Sequence, residues 1–135
     1  VQKVYDGSPD ALLTDEDVDG ILASRDYIQS LIKEEISAGI PPERIMLAGF
    51  SQGGVVAVLA GLTFPQTLAG IVLLSAWLPL AENFMEYVPE ENPNKETPIF
   101  LGHGVEDRMV TLGLAKRSRD ALTAMGFAIS WDVYP

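Results

Sequence analysis

The sequence predicts an α/β domain built on a parallel sheet with helices on both faces, and three observations carry that expectation. Three short runs, Arg44 to Phe50, Gly70 to Ser75 and Thr97 to Gly102, read as strands, and the first, apolar without alternation, suits a strand covered on both faces. Segments with helical periodicity separate or flank them, at the distances a βαβ crossover needs. From Ile45 to Ala81 no Asp, Glu, Lys or Arg occurs, so the middle of the chain is its buried part. The predicted order is helix, strand, helix, strand, loop, strand, helix, strand.

Each element has its own grounds. Thr14, with Asp17 three positions on, reads as a capping-box start, and Val18, Ile21, Leu22, Ile28, Leu31, Ile32 and Ile36 recur at helical spacing up to a stop near Gly39. Pro41 and Pro42 forbid continuation, and the first strand follows. Gly53 to Leu62 is apolar all round; its β-branched residues favour strand locally, but the apolar run Gly70 to Ser75, at crossover distance, makes it a buried helix. Ala76 to Glu96, broken by Pro79, Pro89 and Pro93 yet carrying Trp77, Leu78, Leu80, Phe84, Met85 and Tyr87, is expected to be a functional or mobile loop that covers something. Thr111 to Met125 is a second amphipathic helix stopped by Gly126. Phe127 to Tyr134 alternates as a last strand, with Phe127, Ile129, Trp131 and Val133 on one side.

Composition narrows the function. The 135 residues suffice for one core and not for two domains. Nine Lys+Arg against nineteen Asp+Glu leave a net charge of −10, which repels phosphate backbones and argues against a nucleic-acid partner. The lack of cysteine removes disulfides and thiolate metal sites, and one histidine is too few for the common zinc ligand sets, so no metal site is expected. The apolar stretch Ile71 to Leu80, interrupted by Ser75 and Pro79, falls short of the roughly 18 residues a spanning helix needs. No basic-then-apolar leader opens the chain, and Val1 in place of an initiating Met is read as a cut site.

In a parallel sheet the chemistry collects at the carboxyl ends of the strands. One such end carries Gly49-Phe-Ser-Gln-Gly53, a G-x-S-x-G pattern between a strand and an apolar helix. A strand-to-helix turn sharp enough to expose Ser51 strains its backbone, and the two glycines are expected where side chains have no room. The Gln52 N–H, at the positive end of the helix, is free to donate to a developing oxyanion. The other end carries Gly102 to Val110. There Asp107 has two readings: a carboxylate that orients a catalytic histidine, or a loop carboxylate paired with Arg108 or capping the helix near Thr111. Glu106 is the rival acid. His103 is the only histidine, but it precedes the acid by four residues, whereas nucleophile-elbow enzymes run serine, acid, histidine. His103 is therefore read as structural, its ring holding the Gly102 to Asp107 loop by hydrogen bonds, and the base is expected beyond Pro135.

Further motifs resemble the acyl-protein thioesterase and carboxylesterase branch of serine α/β hydrolases, which includes lysophospholipase-like enzymes. They are Ser8-Pro-Asp10, Ala38-Gly-Ile-Pro41 with Arg44-Ile45, Gly49-Phe-Ser-Gln-Gly-Gly54, Leu68-Ala-Gly70, Leu74-Ser-Ala-Trp-Leu-Pro79 and His103-Gly-x-x-Asp107, in family order and spacing. The resemblance implies Ser51 as nucleophile, Asp107 as triad acid and Gln52 N–H as one oxyanion donor, with no cofactor. It implies fatty-acyl thioesters on protein cysteines, palmitoylated proteins among them, and lysophospholipids or other carboxylic esters as substrates, in a cytoplasmic enzyme. Residues 1–135 are then a single partial domain, lacking the family's N-terminal strands with the second oxyanion donor and its C-terminal histidine segment, and by itself inactive. Trp77, Leu78, Leu80 and Phe84 are expected either to line an acyl groove or simply to pack against the sheet. Two other readings stand beside this one: a short-chain carboxylesterase or serine peptidase on the same fold, separable by chain-length profiling, and a non-catalytic interaction module, in which Ser51→Ala changes nothing.

Overall fold

A computed structural model describes residues 16–135; Thr14 and the Ser8 to Asp10 motif lie outside them. Helix α1 spans Val18–Ser37, and its N-cap is Asp17 itself, whose carboxylate accepts the Gly20 N–H at 3.1 Å. It ends in a Schellman motif: Gly39 at φ +106° donates to the Ile36 carbonyl, and Ile40 to that of Glu35. A 3-10 turn at Pro42–Arg44 then leads into β1, Met46–Phe50.

Helix α2 (Gln52–Leu62), β2 (Gly70–Leu74), a 3-10 turn at Phe84–Tyr87, β3 (Ile99–Gly104), α3 (Leu112–Ala124) and β4 (Ile129–Tyr134) complete the order. All three strand pairings are parallel, in the sequence β1-β2-β3-β4. Strand β3 runs further than expected. Its pairing with β4 continues through His103 opposite Val133 and Gly104 opposite Tyr134, so His103 belongs to a strand and not to a loop.

The parallel sheet matches the expectation, but the placement of helices on both faces does not hold among the described residues. One core joins Leu47, Ile71, Leu73, Ile99, Leu101, Ile129 and Trp131 of the four strands to Ile21 and Leu22 of α1, Val58 and Leu62 of α2, and Leu122 of α3. All three helices therefore share one face. The reason is topological: strands laid down in sequential order by right-handed crossovers put every connection on the same side. On the opposite face Met46, Phe50, Leu74 and Tyr134 are exposed, so β1 is not covered on both sides.

The segment between β2 and β3 is anchored to the rest of the fold by hydrogen bonds at both of its ends. Leu78 N–H donates to Ser118 Oγ of α3 at 2.9 Å, and Leu80 N–H to the Glu16 carboxylate at 3.1 Å. Fully buried Asn94 accepts from Leu68 N–H and from the Thr97 hydroxyl, both at 2.8 Å, and donates to the carbonyls of Phe64 and Gln66. One side chain thus joins the exit of α2 to the entry of β3.

Candidate active site

Ser51 sits between β1 and α2 with φ 55° and ψ −122°, a conformation that costs a non-glycine residue about 1–3 kcal/mol. Surrounding bonds hold it there. Its N–H extends the sheet by donating to the Leu74 carbonyl at 2.8 Å, while its own carbonyl accepts from Gly54 and Val55 N–H and opens the helix. The Ser51 hydroxyl makes no capping hydrogen bond to α2, although serine is a preferred cap, and the residue is half-buried. Gln52 N–H, the first donor of the helix, finds no acceptor among the described residues. A serine hydroxyl and a backbone N–H that neither caps nor joins the helix ladder therefore stand together at a helix N-terminus.

The two glycines of the motif are not sterically equivalent, contrary to expectation. A Cβ on Gly49 would lie 2.3 Å from the Gly53 backbone, so the absence of a side chain there is obligatory. A Cβ on Gly53 would meet nothing within 4 Å. The second crowded position is Gly54, where a Cβ would come within 2.5 Å of Ala76 Cβ and 3.1 Å of the Gly49 carbonyl oxygen. The helix crosses the strand one residue later than the motif suggests.

Asp107 follows the end of β3, on the same carboxyl edge of the sheet as Ser51, with β2 between their strands. Its Oδ1 accepts the N–H groups of Met109 and Val110, each at 2.9 Å, closing a turn of its own loop. It does not cap α3, because Thr111 Oγ1 does so by accepting Leu114 N–H. Glu106 is exposed. His103 is 2% exposed and its Nε2 lies 2.6 Å from the Val110 carbonyl oxygen, to which it donates. The histidine thus holds the far end of the Asp107 loop, at Val110.

The four residues expected at an acyl groove or in packing are placed in cores. Leu78, Leu80 and Phe84 belong to the main core, Phe84 edge-on to Phe127, and Trp77 packs with Val55, Val110 and Leu114. Their exposures of 1 to 9% describe packing. Sequence reasoning missed Ser75. It also has positive φ, 53°, and its N–H donates to the Gly102 carbonyl, so two neighbouring strands end in a strained serine. The signal was available: Leu74-Ser75 closes its apolar run as Phe50-Ser51 closes the one before. An open groove of about 600 Å³ runs along β1 and is lined by Ala23, Tyr27, Ile28, Ala48, Gly53 and Val56; Ser51 is not part of its lining. Among the described residues no group of three or more His, Cys, Asp or Glu is placed to hold a metal ion, and no helix is long and apolar enough to cross a membrane.

A parallel sheet with a strained serine at a strand-to-helix turn and a carboxylate two strands away is the framework of an α/β hydrolase. Comparison with known proteins agrees: the phospholipase/carboxylesterase family model matches residues 3–135, and the chain belongs to that family. Acyl-protein thioesterase 1 of Neurospora crassa is 47% identical over 96% of this chain and 53% of its own length, and that of Gibberella zeae 43% identical over 98% and 57%. The crystal structure of Arabidopsis thaliana SOBER1 superposes with a TM-score of 0.82 at 33% identity, covering 88% of this chain and 56% of that one. Zea mays acyl-protein thioesterase 2 gives 0.76 at 25% identity over 99% and 61%. The chain spans about half the length of the curated relatives it matches.

Proposed function

We propose that these residues form part of a single α/β-hydrolase domain and supply the nucleophile, the acid and one oxyanion donor of a serine hydrolase that cleaves fatty-acyl thioesters or esters. The observation that carries this reading is Ser51, held at φ +55° with its hydroxyl unused by the helix it precedes. In the reaction, Ser51 Oγ attacks the acyl carbonyl while an imidazole takes its proton. The carbonyl oxygen, now negative, accepts from Gln52 N–H. Collapse expels the thiol or alcohol, which receives the proton from the imidazolium, and leaves the acyl group on Ser51. Water, deprotonated by the same imidazole, then releases the acid and restores Ser51. Asp107 stabilises the imidazolium form.

The imidazole comes from outside these residues, since the chain's one histidine, His103, is buried against Val110. The 135-residue chain by itself accordingly gives negligible turnover. The family and the thioesterase relatives favour acyl thioesters, and the exposed Phe50, Leu74, Val105 and Met109 near the carboxyl edge favour apolar acyl chains. Palmitoylated proteins in the cytoplasm are the substrates proposed. The test is hydrolysis by the full-length protein of a series of acyl thioesters and esters. Rates that rise from acetyl to palmitoyl and vanish in Ser51→Ala support the proposal; rates that fall with length point to a short-chain esterase or peptidase, and unchanged rates in Ser51→Ala to a non-catalytic serine.

A further inference from the structure

We infer that His103 is a positioning residue for Asp107: it holds the acid loop so that one carboxylate oxygen, Oδ2, is kept for the catalytic base. The inference rests on the serine-hydrolase reading above and adds a role for a buried imidazole that the reaction does not use.

Burying an imidazole N–H without an acceptor costs about 1–3 kcal/mol, and the His103 ring, 2% exposed, avoids that cost through one bond, Nε2–H to the Val110 carbonyl at 2.6 Å. That bond requires the proton on Nε2. Val110 is in turn held through its N–H, which donates to Asp107 Oδ1 at 2.9 Å beside the Met109 N–H at the same distance. Both polar groups of one buried residue are therefore clamped, one by the histidine and the other by the acid.

The consequence falls on the carboxylate. Oδ1 is occupied by two amide donors, whereas Oδ2 takes no hydrogen bond among the described residues; His103 Nε2 lies 3.9 Å from it. An incoming imidazole N–H thus meets a single acceptor whose orientation is set by the turn from Asp107 to Val110. The side chain of Val110 carries the constraint to the nucleophile. It shares a buried cluster with Trp77, Leu114 and Val55, and the Val55 N–H donates to the Ser51 carbonyl at 3.2 Å. Releasing the Val110 carbonyl would let the acid loop move against the nucleophile turn, and a misplacement of about 1 Å in such a constellation costs on the order of 100-fold in rate.

The experiment is a double-mutant cycle in the full-length protein, read as kcat and KM on a palmitoyl thioester. His103→Leu removes the donor, His103→Gln keeps an amide donor, and Asp107→Asn removes the charge through which His103 is held to act. Expected are a fall in kcat of about 10–100-fold in His103→Leu with KM within about 2-fold, substantial recovery in His103→Gln, and a further loss under about 2-fold when His103→Leu is added to Asp107→Asn. An equal loss in both backgrounds, or no recovery in His103→Gln, overturns the inference. Should His103→Leu fail to fold, nitrogen-resolved NMR of the unsubstituted protein decides: a His103 ring protonated at Nε2 and bare at Nδ1 supports it, and the opposite tautomer overturns it. Ser51→Ala separates the two levels. If it abolishes turnover, the serine-hydrolase reading stands whichever way the cycle closes; if turnover survives, that reading falls and this inference with it.

Discussion

The backbone at Ser51 and the glycine at position 49 depend on each other: a serine can turn at φ +55° only because the helix that follows passes over a residue without a side chain. Gly49→Ala therefore abolishes folding or costs more than about 3 kcal/mol, by way of a contact that neither backbone can relieve. Gly53→Ala, placed in open space inside a helix, changes stability by less than about 1 kcal/mol. Urea titration of both variants distinguishes this account from one in which the two motif glycines are equivalent. At this scale much was legible. Position 51 and the free Gln52 N–H follow from a pattern set between a strand and a helix. The obligatory role of Gly54 does not, because it depends on Ala76, which only the fold brings near. The two readings of Asp107 also needed coordinates: its Oδ1 turned out to serve its own loop and left Oδ2 open, an arrangement no spacing reveals.

At the scale of elements, the segment from Ala76 to Glu96 differs most from its sequence reading. Its length and aromatics suggested a functional or mobile loop that covers something, yet Leu78, Pro79, Leu80 and Phe84 occupy the place between β2 and β3 that a crossover helix would take. Proline blocks the helix without blocking burial, since the freed amides find Ser118 and Glu16. Phe84→Ala is predicted to cost about 3–5 kcal/mol while leaving acyl chain-length preference unchanged; a shifted preference at unchanged stability would show Phe84 in contact with substrate and not in packing. Asn94→Leu strands one buried N–H and two carbonyls and is predicted to cost about 3 kcal/mol or more, seen as a lower melting temperature. Strand ends were the least legible boundaries. His103 and Gly104, flanked by glycine and polar residues, read as loop until β4 is seen pairing with them.

For the whole molecule, the apolar runs identified the parallel sheet, whereas the side on which its helices pack is decided by strand order, which no local pattern encodes. Because α1, α2 and α3 share a face, the opposite one, among the described residues, presents Met46 and Phe50 (69% exposed) of β1, Leu74 of β2 and Tyr134 of β4 to solvent. An uncovered apolar face of this kind drives association. The 135-residue chain expressed by itself is predicted to self-associate with rising concentration in sedimentation velocity, and Phe50→Ser with Leu74→Ser to reduce it; monomeric behaviour of the unsubstituted chain at high concentration would contradict this. All of the chemistry depends on the Ser51 hydroxyl being a nucleophile, and the most direct measurement is mass spectrometry of the full-length protein after reaction with a fluorophosphonate. One adduct is expected, on the peptide containing Ser51, with hydrolysis lost in step with labelling. Complete loss of hydrolysis with the adduct on another residue, or full hydrolysis by Ser51→Ala, would contradict that expectation.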